Sequence, residues 1–245
     1  MTETLVLWDI DLTLVDYSGI GKLWYGQAVA AVLGVDLAHL PVFPGRTERS
    51  LTAEILAAHG AELTEDNIQR VFAELIRLAD EADLASLGHA LPGAEAILKA
   101  FAARTDVVQS LVTGNLPELA DRKLTPFGLH DFVDFEIGGY GSLSEHRHDL
   151  VSAAMAAAGD KHGTTFAPGS VIVIGDTPHD VEAALHHGAI GVGVATGRHT
   201  AAQLADAGAH LVLADLSDTP AVLSGLLGCV GSDLRRRGDQ LPSGA

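Results

Sequence analysis

A doubly wound parallel α/β sheet carrying an inserted all-helical segment is the architecture this sequence predicts, and three observations predict it. Short apolar runs that end abruptly in polar residues recur along the chain. Helical patterns, opened or stopped by Pro and Gly, separate most of them, the alternation expected of a parallel sheet. One long interval near the start breaks the alternation and carries helical periodicity only.

The first run is Leu5-Val6-Leu7-Trp8, followed directly by Asp9-Ile10-Asp11. An uninterrupted apolar run delivering polar residues at its end is the pattern of a parallel strand buried on both faces. Similar runs lie at Val107 to Thr113, Phe132 to Ile137, Val171 to Ile174 and Ile190 to Val194. Between them, helices are expected over Gly93 to Arg104, Asp149 to Ala158 and Pro178 to His187, the last stopped by Gly188. From Tyr17 to about Leu91 only helical spacing appears, as in Leu51, Ile55 and Leu56, then Val71, Leu75 and Ile76. The expected division is a sheet-bearing Rossmann-like core of residues 1–16 and 90–228, a helical cap of residues 17–89, and a flexible, turn-rich tail over 229–245 that includes Arg235-Arg236-Arg237.

Composition narrows the function classes. The chain has 245 residues, 47% of them hydrophobic, and a mean hydropathy of +0.24, which is the profile of a folded globular chain. Its 32 acidic against 15 basic residues give a formal charge of −17, which argues against a nucleic-acid polymer or an anionic membrane as partner, since both need a basic face. A small anionic substrate stays compatible, because local donors and a metal override the global field. The single Cys229 can form no internal disulfide, no secretory leader pattern opens the chain, and no apolar run reaches membrane-spanning length. These features read as a soluble, cytoplasmic protein; oligomeric state is open.

Four polar clusters fall at expected strand ends, where ligands of open parallel sheets bind. Asp9-x-Asp11-x-Thr13 offers two carboxylates two residues apart, suited to a nucleophile beside a proton donor, or alternatively to a turn capped by its own side chains. Thr113-Gly114-Asn115 offers a hydroxyl, a closely approachable backbone and an amide to an anion, or, taken alone, is an ordinary strand-to-helix turn in which Asn115 or Leu116-Pro117 opens the next helix. Gly175-Asp176-Thr177-Pro178-His179-Asp180 places Asp176 at a strand end and Asp180 in the first turn of a helix that Thr177 caps and Pro178 begins. Asp9, Asp176 and Asp180 could share one hard cation such as Mg²⁺. Arg147, in the polar stretch Ser142 to His148 after the third strand, is the expected cation beside the anion. Lys123 is its rival, and the helical setting of Lys123 favours a surface or packing role. His146, His148, His186 and His187 lack the full spacing of a zinc site and read as surface residues. In the insertion, Arg46 either reaches the crevice to contact substrate or stands in solvent at a helix start capped by Thr47.

Together these segments resemble the haloacid dehalogenase superfamily, in the group of phosphoglycolate-phosphatase-like hydrolases with a helical cap inserted after the first strand. The resemblance rests on Asp9-Ile10-Asp11-Leu12-Thr13, on Val112-Thr113-Gly114-Asn115, on Arg147 as the basic third motif, and on Gly175 to Asp180. It implies a Mg²⁺-dependent phosphatase acting on a small-molecule phosphate monoester. Asp9 would attack phosphorus and Asp11 would act as general acid and base. Thr113, Gly114, Asn115 and Arg147 would hold the phosphate. Asp9, the Asp11 carbonyl and Asp176 would bind the metal, supported by Asp180. Two positions depart from the family pattern: Leu12 stands where Gly is usual, and Arg147 where Lys is. A phosphomutase on the same scaffold and, in another class, a phospho-accepting receiver or binding module are the alternatives. The long insertion and the late Gly175 to Asp180 motif argue against the receiver.

Overall fold

The computed structural model describes residues 3–238. Its centre is a six-stranded, all-parallel sheet in the order β5-β4-β1-β6-β7-β8. The strands are β1 (Thr4–Trp8), β4 (Val107–Thr113), β5 (Gly139–Tyr140), β6 (Val171–Gly175), β7 (Ile190–Val194) and β8 (Leu211–Leu213). Two further short strands, β2 (Val15–Asp16) and β3 (His89–Ala90), form a separate antiparallel pair.

Every residue of β1 is buried, because its alternate side chains enter cores on opposite faces of the sheet. Val6 and Trp8 join the larger apolar cluster, while Leu5 and Leu7 join a second one with Val171, Val173 and Leu150. The helices that cover the sheet are α5 (Ala94–Ala102), α6 (Pro117–Leu124), α7 (Arg147–His162), α8 (Pro178–His186), α9 (Ala201–Asp206) and α10 (Thr219–Gly238).

Between β2 and β3 the chain leaves the sheet and builds α1 (Ile20–Leu33), α2 (Glu48–Ala58), α3 (Glu65–Glu81) and α4 (Leu84–Leu87), with no strand among them. Leu51, Ile55, Leu56, Val71 and Leu75 are buried there, as their helical spacing predicts, and Ile76 packs partly buried against them. The paired β2 and β3 form the neck through which the insertion leaves and returns.

Three sequence expectations need correction. Phe132 to Ile137 is not a strand: two 3₁₀ turns, His130–Phe132 and Phe135–Ile137, occupy it, and the strand follows at Gly139–Tyr140. The carbonyls of Phe132 and Asp134 instead accept bonds from the Gln109 and Ser110 side chains of β4, so this backbone is satisfied without a ladder. The half-buried edge strand β8 has no counterpart in the apolar runs. Helix α10 continues ten residues past Gly228, to Gly238, with Val230 buried, where a frayed tail is expected. Residues 239–245 of that expected tail lie outside the described residues. Among the described residues no helix is long and apolar enough to cross a membrane.

Candidate active site

The strands β4, β1 and β6 are neighbours, and their carboxyl ends bring Thr113, Asp9 and Asp176 together at the middle of the sheet edge. Asp9 follows β1 directly, and its N–H is fixed by the Ile174 carbonyl at 2.8 Å. The chain then turns sharply: Leu12 sits at φ 61°, in the left-handed region, with its N–H on the Val15 carbonyl and its own carbonyl accepting from Thr196 Oγ1 at 2.6 Å. That conformation is the physical reason Gly suits this position. The turn leaves Asp9 and Asp11 in different surroundings.

Asp9 is buried and accepts a 2.7 Å bond from the Arg147 guanidinium, which also forms a 2.5 Å ion pair with Asp180 Oδ1. Burial pushes the Asp9 carboxyl up to about 7, and Arg147 holds it below where burial and the neighbouring Asp180 and Asp11 would otherwise take it. Arg147 itself is held above the ordinary guanidinium range: burial opposes its charge, and the carboxylates of Asp180 and Asp9 outweigh burial. Thr177 caps α8 with Pro178 at its first turn, as predicted, and Asp180 Oδ2 in return accepts from the Thr177 N–H at 3.1 Å. One carboxylate therefore both caps the helix and faces the site.

Asp176 follows β6. Burial, then repulsion from Asp9 and Asp180, pushes it up to about 9. Asp9, Asp176 and Asp180 each offer an oxygen within 4.8 Å of the others, the one such group of possible metal ligands among the described residues. Three buried carboxylates around one guanidinium are short of positive charge, and oxygen donors in that number suit a hard divalent cation. A Cβ at Gly197 would overlap Asp176 Oδ2 and one at Gly175 would overlap the Asp180 carboxyl, so both glycines give the carboxylates their room.

Asp11 has partners of its own, apart from that trio. Its two oxygens accept 2.8 and 2.7 Å bonds from Lys123 Nζ, and Oδ2 also accepts from Asn115 Nδ2 at 2.8 Å. Lys123 Nζ further donates to Asn115 Oδ1 at 2.7 Å, and Asn115 Nδ2 to Thr113 Oγ1 at 2.8 Å. The expected surface or packing role for Lys123 is thus corrected: α6 turns it inward, and it is buried. The two rival cations are both in the site, each on a different aspartate.

The insertion closes over this edge. The backbone N–H of Glu48 binds the Gly114 carbonyl at 2.8 Å and that of Arg49 binds the Gly141 carbonyl at 2.9 Å. Thr47 caps α2, as predicted, in a capping box with Ser50. Arg46, just before α2, lines the cleft beside Arg147 and is held by the helix that follows it: Nε donates to Ser50 Oγ at 2.9 Å and NH1 to Glu54 Oε2 at 2.9 Å. Glu48, which sequence reasoning missed, hydrogen-bonds the buried Tyr25 hydroxyl, and that hydroxyl lies 3.1 Å from Thr52 Oγ1. Burial raises the Glu48 carboxyl to about 7, against the pull of Tyr25 and Lys123. Its sole sequence signal is an acid at a helix start, which reads as dipole complementation.

A cleft of about 400 Å³ opens beside Arg147, lined by Arg46, Glu145, His179, Glu182 and His186 among others. A larger cavity of about 570 Å³ lies along α7 against Phe166 and is lined by no residue of the site. His146, His148, His186 and His187 stack in an exposed to half-exposed group and form no metal-ligand cluster among the described residues.

The chain belongs to the haloacid dehalogenase-like hydrolase family, whose model matches residues 6–185. Solved structures share the fold. A hydrolase from Pseudomonas syringae superimposes with a TM-score of 0.61 at 21% identity, covering 91% of this chain and 98% of the other. A predicted phosphoglycolate phosphatase from Haemophilus somnus gives 0.64 at 20% identity, with 91% and 99% covered. A beta-phosphoglucomutase from Clostridium difficile gives 0.64 at 15% identity, with 94% and 100% covered. No curated protein matches.

Proposed function

We propose that this enzyme is a Mg²⁺-dependent phosphatase that hydrolyses a small-molecule phosphate monoester through a phosphoryl group on Asp9. The observation that carries the reading is the separation of the two aspartates of one turn. Asp9 is buried beside the acidic trio and Arg147, while Asp11 is half-exposed on Lys123 and Asn115. Paired carboxylates in different surroundings suit different roles.

Mg²⁺ held by Asp9, Asp176, Asp180 and the Asp11 carbonyl would supply charge neutralisation for a dianionic substrate. In the first step, an Asp9 oxygen forms a bond to phosphorus as the bond to the alcohol oxygen breaks, and Asp11 gives that oxygen its proton. Thr113, the Gly114 N–H and Arg147 surround the transferring group, whose charge spreads over its oxygens in the transition state. In the second step Asp11 takes a proton from water, the water oxygen bonds to phosphorus, and Asp9 leaves as a carboxylate. Lys123 and Asn115 keep Asp11 aimed throughout. The helical insertion, residues 17–89, is the cap that excludes bulk water while its backbone rests on Gly114 and Gly141.

The test is p-nitrophenyl phosphate turnover with Mg²⁺, with and without chelator, in two variants. Asp9→Asn should form no phosphoenzyme. Asp11→Asn should release about one equivalent of nitrophenol in a burst and then stall, because this leaving group needs little protonation but the water step still needs a base. Rapid quench with mass spectrometry reads the trapped protein. A burst from Asp9→Asn with none from Asp11→Asn would reverse the roles. Full turnover in both variants, or in excess chelator, would end the reading. Phosphate release, rather than isomerised ester, separates hydrolysis from mutase chemistry.

A further inference from the structure

Glu48 is the carboxylate that the insertion presents to the site. Its backbone N–H holds the Gly114 carbonyl of the phosphate-binding turn at 2.8 Å, so its α-carbon is fixed over that turn. Its side chain reaches far enough inward to interact electrostatically with Lys123 and Asp11. The Tyr25 hydroxyl bonds Oε2, and no described residue hydrogen-bonds Oε1.

The cations around it are already taken. Lys123 holds Asp11 and Asn115, and Arg147 holds Asp9 and Asp180. Arg46 holds Glu54, and Arg49 holds Glu65 and the Ser142 carbonyl. A leaving group with its own negative charge would therefore meet the carboxylates of Glu48 and Asp11, while these four cations are already paired. A leaving group with hydroxyls would meet an acceptor with capacity to spare, since a carboxylate oxygen takes more than one bond. Rejecting a poorly matched group in a closed site discriminates strongly, because the buried charge is left unpaired.

We propose that Glu48, held by Tyr25, is a specificity-determining residue, and that the site takes phosphate monoesters of uncharged, hydroxyl-bearing alcohols in preference to those whose alcohol carries a carboxylate. This rests on the phosphatase reading above. Glycerol 1-phosphate and phosphoglycolate make a fitting pair, close in size and different in leaving-group charge. Wild-type kcat/KM should favour glycerol 1-phosphate by at least about ten-fold, the worth of one hydrogen bond to a charged group. Glu48→Gln, which keeps the shape and the Gly114 bond, should reduce that ratio about ten-fold by losing on glycerol 1-phosphate and gaining on phosphoglycolate.

Tyr25→Phe, which frees the carboxylate to turn away, should move the ratio in the same direction, and it decides the matter if Glu48→Gln does not fold. Damage to the fold lowers both substrates alike and leaves the ratio where it was. A wild-type preference for phosphoglycolate, or a ratio unmoved by the variants, overturns the assignment of Glu48 while p-nitrophenyl phosphate turnover persists. Absence of that turnover in the wild type overturns the phosphatase reading and this inference with it.

Discussion

The two cations of the site should fail in opposite ways when replaced, because one compensates buried charge and the other aims a half-exposed group. The Arg147 side chain is 8% exposed, and its partners Asp9 and Asp180 are 9% and 1% exposed. Removing one member of such a set leaves uncompensated buried charge, which costs about 3–5 kcal/mol. In a chain of this size that is about 10 °C in Tm. Lys123 is as buried, at 9%, but its partner Asp11 is 43% exposed, so solvent can replace most of the lost contact and the stability cost should stay under about 1 kcal/mol. Lys123 nevertheless bonds both Asp11 oxygens and Asn115, and losing that aim should lower kcat by about ten- to a hundred-fold. The expectation is that Arg147→Met melts far below wild type and Lys123→Met close to it while turning over slowly.

The Arg147→Met loss should also depend on pH. Burial already pushes the Asp9 carboxyl up to about 7, and without the guanidinium, which lowers it, the carboxyl moves higher still. At pH 5.5 it is then neutral and needs no partner, so the Tm deficit should be largest near pH 8 and much smaller at pH 5.5. Thermal unfolding in chelator at both pH values, with Mg²⁺-supported kinetics alongside, measures all of this. An equal or greater Tm loss for Lys123→Met, or an Arg147→Met deficit that does not change with pH, would refute the reasoning.

Metal-free wild type should lose stability as pH rises. Asp9 at about 7 and Asp176 at about 9 keep protons in the fold that the unfolded chain gives up near pH 4, so the loss runs from about pH 4 to 9, and the Tm gained by adding Mg²⁺, which favours the ionised carboxylates, should grow from pH 5 to 8. A gain that is flat or larger at pH 5 would show that these carboxylates are not the binding groups. At Leu12, where φ is 61°, relief of left-handed strain and the entropy of Gly nearly offset, so Leu12→Gly should change stability by less than about 1 kcal/mol, while β-branched Leu12→Val should cost about 1–2 kcal/mol in denaturant titration. The opposite order would mean that the turn does not hold this backbone.

What the sequence made legible is what one stretch of chain decides by itself. An apolar run with polar residues at its end sufficed for β1 and Asp9, and Thr177 before Pro178 sufficed for the start of α8 and hence for Asp180. Thr47 marked the start of α2 in the same way. Phe132 to Ile137 misled because an apolar run says only that side chains are covered. Its backbone found partners in Gln109 and Ser110 of the neighbouring strand, which no local pattern announces. Arg46 was readable in hindsight, since Ser50 and Glu54 follow it at four-residue spacing on one helix face and capture its guanidinium. Lys123 was not, because whether a helical lysine faces water or a carboxylate depends on which side of α6 faces the turn after β1. That is a tertiary fact: 112 residues separate Lys123 from Asp11. The same holds for Glu48, whose place over Gly114 exists only once the insertion has folded back onto the sheet. The groups that define the reaction lie at strand ends and helix starts, where local rules fix them. Lys123 and Glu48 come from a helix face and from the insertion, so the motifs that carry the family could be read from short stretches while these two residues required the assembled site.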